Sequence, residues 1–446
     1  MTTKPKKPRR QSRVPTTRIG RILRLGMAAG ELAVGGVAEG VRRMTGLEPA
    51  QAASVFLSTA NAQKLAKSLS SMRGAAMKLG QMVSMESSDL LPAPFAAALA
   101  ILRDSADTMP DSQVRRVLGR EYGKGWERLF SSFDYEPIAA ASIGQVHHAV
   151  TTDGRDLALK IQYPGVAKSI SSDVDNMALL LRLARILPIE LDVSGIVAEA
   201  KRQLQQEADY LAEAGFLKRY RKFIGRSADF IVPRVHDDLT TRRILAMDYL
   251  PGVPIESLGG DGVAQKERDR VGALLQGLMY RELFEFRTMQ SDPNFANYLY
   301  RPEDGKIVLL DLGSTVTFSR TFTNRYGHIA RALIAGDDHA VRHYAEQIGY
   351  MDAADSSEHA ERLLTLIRMV CSPICHEGPY DFGASDLLKR TREKGFEMFL
   401  HHARDFRAPP PDTAFLHRKL MGTFQLCARI KARANAQALI RPYLPG

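Results

Sequence analysis

The sequence predicts an α+β fold of two lobes, a small β-rich lobe and then a helical one, with a helical extension in front. Three observations carry this. Strand-like runs at 137–150 and 156–162 flank Thr151-Thr152-Asp153-Gly154-Arg155, and Asp-Gly between two such runs signals a hairpin. Leu250-Pro251-Gly252-Val253-Pro254 has the composition of a linker between lobes. Beyond it, apart from one apolar strand at 306–310, the chain reads as mostly helical to its end.

Taken in order, residues 1–24 read as a basic, disordered arm. Nine of them are Lys or Arg and none is acidic, so they supply most of the net charge of +11 and leave +2 for the rest. Such an arm is either a solvated tail or an attachment to an anionic membrane surface. It has no aromatic residue to stack on a base, which argues against nucleic acid. Residues 25–130 form the helical extension. Within it, Gly26 and Gly30, then Gly36 and Gly40, have the small-xxx-small spacing of close helix contacts and suggest a homodimer or a surface-associated helix. Glu31 and Glu39 argue against a membrane span there. The β-rich lobe covers 131–250, with helices at 165–187 and 195–224 and strands at 231–235 and 243–247. The helical lobe covers 251–446.

Hydrophobic content of 45% and charged content of 25% fit a folded chain with a sizeable core. Three cysteines make no disulfide framework. Cys371 and Cys375 stand four apart beside His376 without a second ligand pair, so they read as core thiols and not as a zinc site.

The chemistry lies at 290–313. Gln290-Ser291-Asp292-Pro293-Asn294-Phe295-Ala296-Asn297 precedes the strand Lys306-Ile307-Val308-Leu309-Leu310, which ends in Asp311-Leu312-Gly313. An Asp and an Asn five residues apart, then Asp-x-Gly after a strand, is how a protein-kinase-like fold builds a Mg2+ and ATP site. Asp292 would orient an attacking hydroxyl, while Asn297 and Asp311 offer hard oxygen ligands to the metal. Upstream, Lys160 lies on the second strand of the hairpin, where such a fold places the lysine that bridges nucleotide phosphates. Alone it would read as a strand lysine facing solvent. Its partner glutamate should come from 195–224, and spacing leaves Glu199, Glu207 and Glu213 open. On one straight helix Glu207 and Glu213 point about 120° apart, so both cannot meet one point without a bend. Ala139-Ala140-Ala141-Ser142-Ile143-Gly144 stands where a glycine-rich loop would cover the nucleotide, and its methyl groups restrict close approach. Met247 and Tyr249 are counted as further nucleotide contacts.

These motifs resemble the UbiB-type atypical kinase-like family, the AarF-domain-containing kinases. Ala139 to His147 is similar to its alanine-rich loop, Lys78-Leu79-Gly80-Gln81 to its Lys-x-Gly-Gln motif, and Glu207-Ala208-Asp209 to its Glu-x-Asp motif. The resemblance runs from about residue 15 to about residue 435. It implies an atypical kinase-like ATPase with ATP and Mg2+ as cofactors, supporting ubiquinone (coenzyme Q) biosynthesis. It implies Glu213 as the partner of Lys160, and it implies that Lys78, Gly80, Gln81, Glu207 and Asp209 gate the site. The implied partners are an anionic membrane surface, an isoprenoid or quinone-precursor lipid, and coenzyme Q biosynthetic proteins. The implied location is the cytoplasmic face of a bacterial inner membrane, or the mitochondrion in a eukaryote. Asp-Leu-Gly replaces the usual Asp-Phe-Gly, with Leu312 filling the same apolar slot. No Ala-Pro-Glu motif follows, which weakens any platform for a protein substrate. The other readings are a small-molecule or lipid kinase and a non-catalytic nucleotide-binding scaffold.

Overall fold

The computed structural model describes residues 108–141, 143–183, 194–292, 294–352, 355–401 and 411–446. The arm, the glycine-spaced segment and Lys78, Gly80 and Gln81 lie outside the described residues, as does Ser142. The described chain divides into two compact units. The first holds the described residues up to Gly215 together with Arg234–Tyr249, and the second holds Phe216–Pro233 and Leu250–Gly446.

In the first unit, α1 (Asp111–Glu121) precedes a fully antiparallel sheet of β1 (Phe130–Phe133), β2 (Ala139–Ala141), β3 (Gly144–Thr151), β4 (Asp156–Gln162) and β6 (Ile244–Asp248). The order is β1-β3-β4-β6, with β2 on β3. The expected hairpin joins β3 and β4, from Gly144↔Gln162 to Val150↔Asp156. Gly154 takes a φ of 86° in its turn, a conformation that favours glycine. β4 has a strand on each edge, and both of its faces are buried as well. Leu157, Leu159 and Ile161 are buried on one face, and Ala158, Lys160 and Gln162 on the other. Three helices follow, α2 (Val166–Leu183), α3 (Ser194–Glu207) and α4 (Tyr210–Ile224). The chain breaks between α3 and α4 at Ala208-Asp209, so the straight helix assumed for Glu207 and Glu213 does not exist. Asp209 caps α4, its Oδ1 accepting from Ala212 N at 3.0 Å.

The second unit has a sheet ordered β5 (Phe230–Ile231), β10 (Lys306–Leu309), β9 (Tyr298–Arg301) and β7 (Val253–Pro254). The strand expected at 231–235 is thus shorter and begins earlier. Val253–Pro254, read as linker, adds an edge strand, where proline is tolerated. A second ribbon pairs β8 (Thr288–Gln290) with β11 (Thr315–Thr317). The helices include α5 (Gln265–Tyr280), which runs into a π turn at Arg281–Glu285, then α6 (Arg320–Ala335), α7 (Asp338–Ile348) and α8 (Ser357–Val370). Next come α9 (Ser372–Cys375), α10 (Leu387–His401), α11 (Pro411–Arg429) and α12 (Ala436–Ile440), with β12 (Tyr380–Asp381) pairing β13 (Arg433–Ala434) among them. Gly336 ends α6 at φ 70°, and Asp337 caps α7 by accepting from Ala340 N. One core gathers Met279, Leu283, Met289, Phe318 and Leu416, and another Ile329, Leu333, Val341, Ile348 and Leu364. Cys375 is exposed and so is not the core thiol expected of it. Among the described residues no helix is long and apolar enough to cross a membrane.

A small polar chain lies among these helices. Tyr326 and Tyr350 share a hydrogen bond of 2.5 Å, and the Tyr350 hydroxyl bonds His417 Nε2. Burial lowers the His417 pKa from 6.5 to about 4. The unfolded chain therefore takes up a proton between these values that the folded chain refuses. The contribution of neutral His417 is full above pH 6.5 and drains away towards pH 4, on the order of 3 kcal/mol in all. Urea denaturation at steps from pH 7 to pH 4 should show this loss, and His417→Leu should flatten the pH dependence within that window.

Candidate active site

In the first unit the site is built on the Lys160 face of β4. Lys160 stands in register with Val146 on β3 and Leu245 on β6. Its Nζ donates to both Glu213 oxygens, at 2.8 and 2.9 Å. The pair is buried, with side-chain exposures of 8% and 1%. A buried ammonium is tolerated only where its charge is matched, and Glu213 matches it. The Nζ also lies 5.3 Å from the centre of the Tyr210 ring, a cation–π distance. Lys160 is therefore not a solvent-facing strand lysine.

Neighbouring residues constrain the geometry around this pair. Gln162 Nε2 donates to Ala208 O at 2.7 Å, tying β4 to the break between the helices. Glu207 ends α3 and is buried, whereas Glu213 sits one turn into α4. Gly144 leaves no room for a side chain, since a Cβ there would lie 2.3 Å from the Ile161 carbonyl oxygen and 3.0 Å from Tyr210 Oη. This tight approach explains the one glycine in the alanine-rich segment. Ala139 and Ala140 are exposed on β2 while Ile143 is buried. Met247 pairs in register with Ala158 and so shares the Lys160 face. Tyr249 follows β6, its N donating to Asp156 O at 3.0 Å.

Sequence reasoning missed several members of this half. Val146 and Ala158 share the Lys160 face, and stepping two residues along β4 finds Ala158. Tyr210 stands three before Glu213 on α4, a spacing that puts both on one side of the helix. Gln145 and His147 form a buried relay. Met109 N donates to Gln145 Oε1, Gln145 Nε2 donates to His147 Nε2, and His147 Nδ1 donates to Asp134 O, each at 2.8 Å. The Asp134 carbonyl can only accept, so the His147 proton sits on Nδ1. Burial holds the His147 pKa below its ordinary value.

In the second unit, β8 leads into the Asp292 loop. Asp292 Oδ1 accepts from Asn294 N at 3.3 Å, and Asn294 Oδ1 caps the short turn Phe295–Asn297. Asn297 is buried, its carbonyl accepts from Leu310 N at 3.0 Å, and its Nδ2 has no hydrogen-bond partner among the described residues. Asp311 Oδ1 accepts from Gly313 N at 2.9 Å. Ser291 bonds Ser314 O through both its N and its Oγ. The Asp292 loop and the Asp311 turn are thus stitched together at two points. Leu312 is buried, as an apolar anchor should be. The Asp311 carboxylate and the Asn297 amide oxygen are hard donors of the kind Mg2+ takes, with water and phosphate as its usual further ligands.

Beneath this loop lies a charged network that no sequence signal announced. Lys419 Nζ on α11 is 2.6 Å from Glu282 Oε2 in the π turn and donates to Tyr298 Oη at 3.1 Å. Glu282 Oε1 accepts from Tyr220 Oη at 2.8 Å and faces Gln290 N at 3.5 Å. Gln290 precedes Asp292 and Tyr298 follows Asn297, so the network holds both ends of the loop. Burial pulls the Lys419 pKa down, but the charges and hydrogen bonds of Glu282 and Tyr298 together outweigh it and the net shift is upward.

The sequence profile of the ABC1 atypical kinase-like domain matches residues 101–345. The chain belongs to the ABC1 atypical kinase-like family. Relatives of this family member include rat mitochondrial atypical kinase COQ8B, 36% identical over 97% of this chain and 81% of the rat protein. Mitochondrial atypical kinase COQ8 of Saccharomyces cerevisiae is 32% identical over 97% of this chain and 86% of its own length. Among solved structures, the Rv3197–erythromycin complex from Mycobacterium tuberculosis is similar with a TM-score of 0.59, 25% identity, and coverage of 82% of this chain and 90% of that one. The two-lobed, mixed α+β kinase-like fold read from the sequence is thus the fold of this ABC1 family member.

Removing one partner of a buried ion pair leaves the other charge unmatched. Lys419→Met should therefore lower stability by about 3–5 kcal/mol, and adding Glu282→Gln should recover much of that. Chemical denaturation of the two single variants and the double variant measures the coupling. Additive losses would remove the pair from its supporting role.

Proposed function

We propose that this atypical kinase-like protein supports coenzyme Q biosynthesis as a Mg2+-dependent ATPase acting at a membrane surface. Homology to the COQ8 atypical kinases supports the biosynthetic role. The observation that carries the ATP-dependent part is the buried bidentate Lys160–Glu213 pair. A charge held at that cost in stability on a central strand is suited to a task, and bridging nucleotide phosphates is the task its setting fits.

In this reading Lys160 positions the phosphates and Glu213 fixes the angle of its ammonium. Residues 139–144, with Met247 and Tyr249, cover and contact the nucleotide, and the Val146 and Ala158 side chains extend that apolar face. Asn297 and Asp311 hold Mg2+, which when bound offsets charge on the transferring phosphoryl group. Asp292 orients the nucleophile and accepts its proton as the new oxygen–phosphorus bond forms and ADP departs. With water as nucleophile the product is phosphate. Lys78, Gly80, Gln81, Glu207 and Asp209 gate access. Lobes at 131–250 and 251–446, behind an extension at 25–130, complete the proposed organisation. The basic arm adds roughly 1 kcal/mol of attraction per charge near an anionic membrane, screened by salt. Bound to a membrane in a mitochondrion, or to the cytoplasmic side of the inner membrane in a bacterium, such a protein meets apolar quinone precursors at their own surface.

ATP turnover by the purified chain with Mg2+ should rise when liposomes containing anionic lipid are added. Asp311→Asn should reduce it by roughly a hundredfold or more, as loss of a charge-stabilising group does. Phosphorylated lipid or metabolite in place of free phosphate would move the reading to a small-molecule or lipid kinase. Nucleotide binding without turnover in the unaltered chain would make it a scaffold.

A further inference from the structure

The strand β2 carries Ala139 and Ala140, the exposed start of the segment assigned to covering the nucleotide. Exposed methyl groups do little to place a strand. β2 is held to the sheet through β3, by the pairs Ala139↔Val146, Ala140↔Gln145 and Ala141↔Gly144. Its position therefore depends on what holds β3 and the chain that leads into β2.

The buried relay through Gln145 and His147 holds both. Side chains alternate along a strand, so these two share one face of β3 and Val146 takes the other. Val146 stands in register with Lys160, which places the relay on the reverse of the Lys160 face. His147 Nδ1 donates to the Asp134 carbonyl just before β2, and Gln145 Oε1 accepts from Met109 N where the chain enters α1, each at 2.8 Å. The segment from Ala139 to Gly144 lies between these two anchors. Phe133 stacks on the imidazole at 5.3 Å between ring centres, and Arg115 of α1 lies 4.3 Å from the centre of the Tyr135 ring. Gln145 is 1% exposed and His147 0%, so a partner lost from the relay leaves its mate buried and unmatched.

We propose that Gln145 and His147 are positioning residues for the nucleotide: by fixing the chain on both sides of Ala139–Gly144 they set how tightly that segment closes over ATP, without touching ATP themselves. This rests on the assignment of that segment to the nucleotide and adds to it the device that tunes affinity.

Gln145→Met keeps the length of the side chain and removes both of its hydrogen bonds. Calorimetric titration of the full chain, with Mg2+ and an ATP analogue that carries an imido bridge between the β and γ phosphates, reads the effect. The dissociation constant should rise about tenfold. A variant that was merely less folded would bind fewer equivalents at the same dissociation constant.

Gln145→Glu provides a second readout. It still accepts from Met109 N, but its other oxygen is matched only by a proton on His147 Nε2. Nδ1 already donates to Asp134 O, so that match requires the imidazolium. The other carboxylates acting on His147 are those of Asp134 and of Asp111 at the start of α1, and both favour the same charge. At pH 6 this variant should bind within about twofold of the unaltered chain, and at pH 8 about fivefold or more weakly, across the ordinary titration range of histidine. An unchanged dissociation constant in Gln145→Met, or a Gln145→Glu affinity that keeps the same ratio to the unaltered chain at both pH values, would overturn the positioning role alone. No binding of the analogue to the unaltered chain would remove the nucleotide reading itself, and the positioning role with it.

Discussion

A lysine charge buried on a central strand constrains everything packed around it. Lys160 is largely buried in the middle of β4, so a carboxylate must match its charge, and Glu213 does so from α4 with both oxygens. That demand sets where α4 begins. The chain breaks at Ala208-Asp209, Asp209 caps the new helix, and Gln162, two residues along the same face from Lys160, holds the carbonyl at the break. Gly144 follows from the same crowding, because Tyr210 and the Ile161 carbonyl occupy the space a side chain would take.

The second unit meets a related problem by other means. Its Asp292 loop is rich in polar groups, so hydrophobic packing does little to shape the loop itself. Backbone bonds to the Asp311 turn shape it from above, and the buried Glu282–Lys419 pair holds its ends from below. The π turn that presents Glu282 costs regular helix geometry, and such turns are often found at functional positions. Charge burial is used twice, once at Lys160 on β4 and once at Lys419 beneath the Asp292 loop. The COQ8 relatives match nearly the whole chain, so both devices lie within the region of shared ancestry.

Much of the fold was legible because it rests on local chemistry. The Asp153-Gly154 turn, the alternating run at 156–162 and the proline-glycine linker are short-range signals, and each marks a real boundary of an element. The strand at 231–235 was overread because only Phe230–Ile231 finds a partner in β10, and β structure is decided by pairing. Pro254 hid an edge strand for the same reason. Cys375 reads as a core thiol because no second ligand pair accompanies it, but exposure depends on what packs over a residue, and Cys375 is exposed.

By itself the sequence determined the order of the chemical groups, which are a strand lysine, helical glutamates, then Asp292, Asn297 and Asp311. Those follow from residue types at short spacings, which a chain states directly. Only the tertiary structure decided which glutamate meets Lys160, since the direction of a side chain depends on where a helix is interrupted. It alone revealed Lys419 beneath the Asp292 loop and the relay from Met109 through Gln145 and His147. Both join residues far apart in the chain, and burial is a property of the neighbours that folding brings.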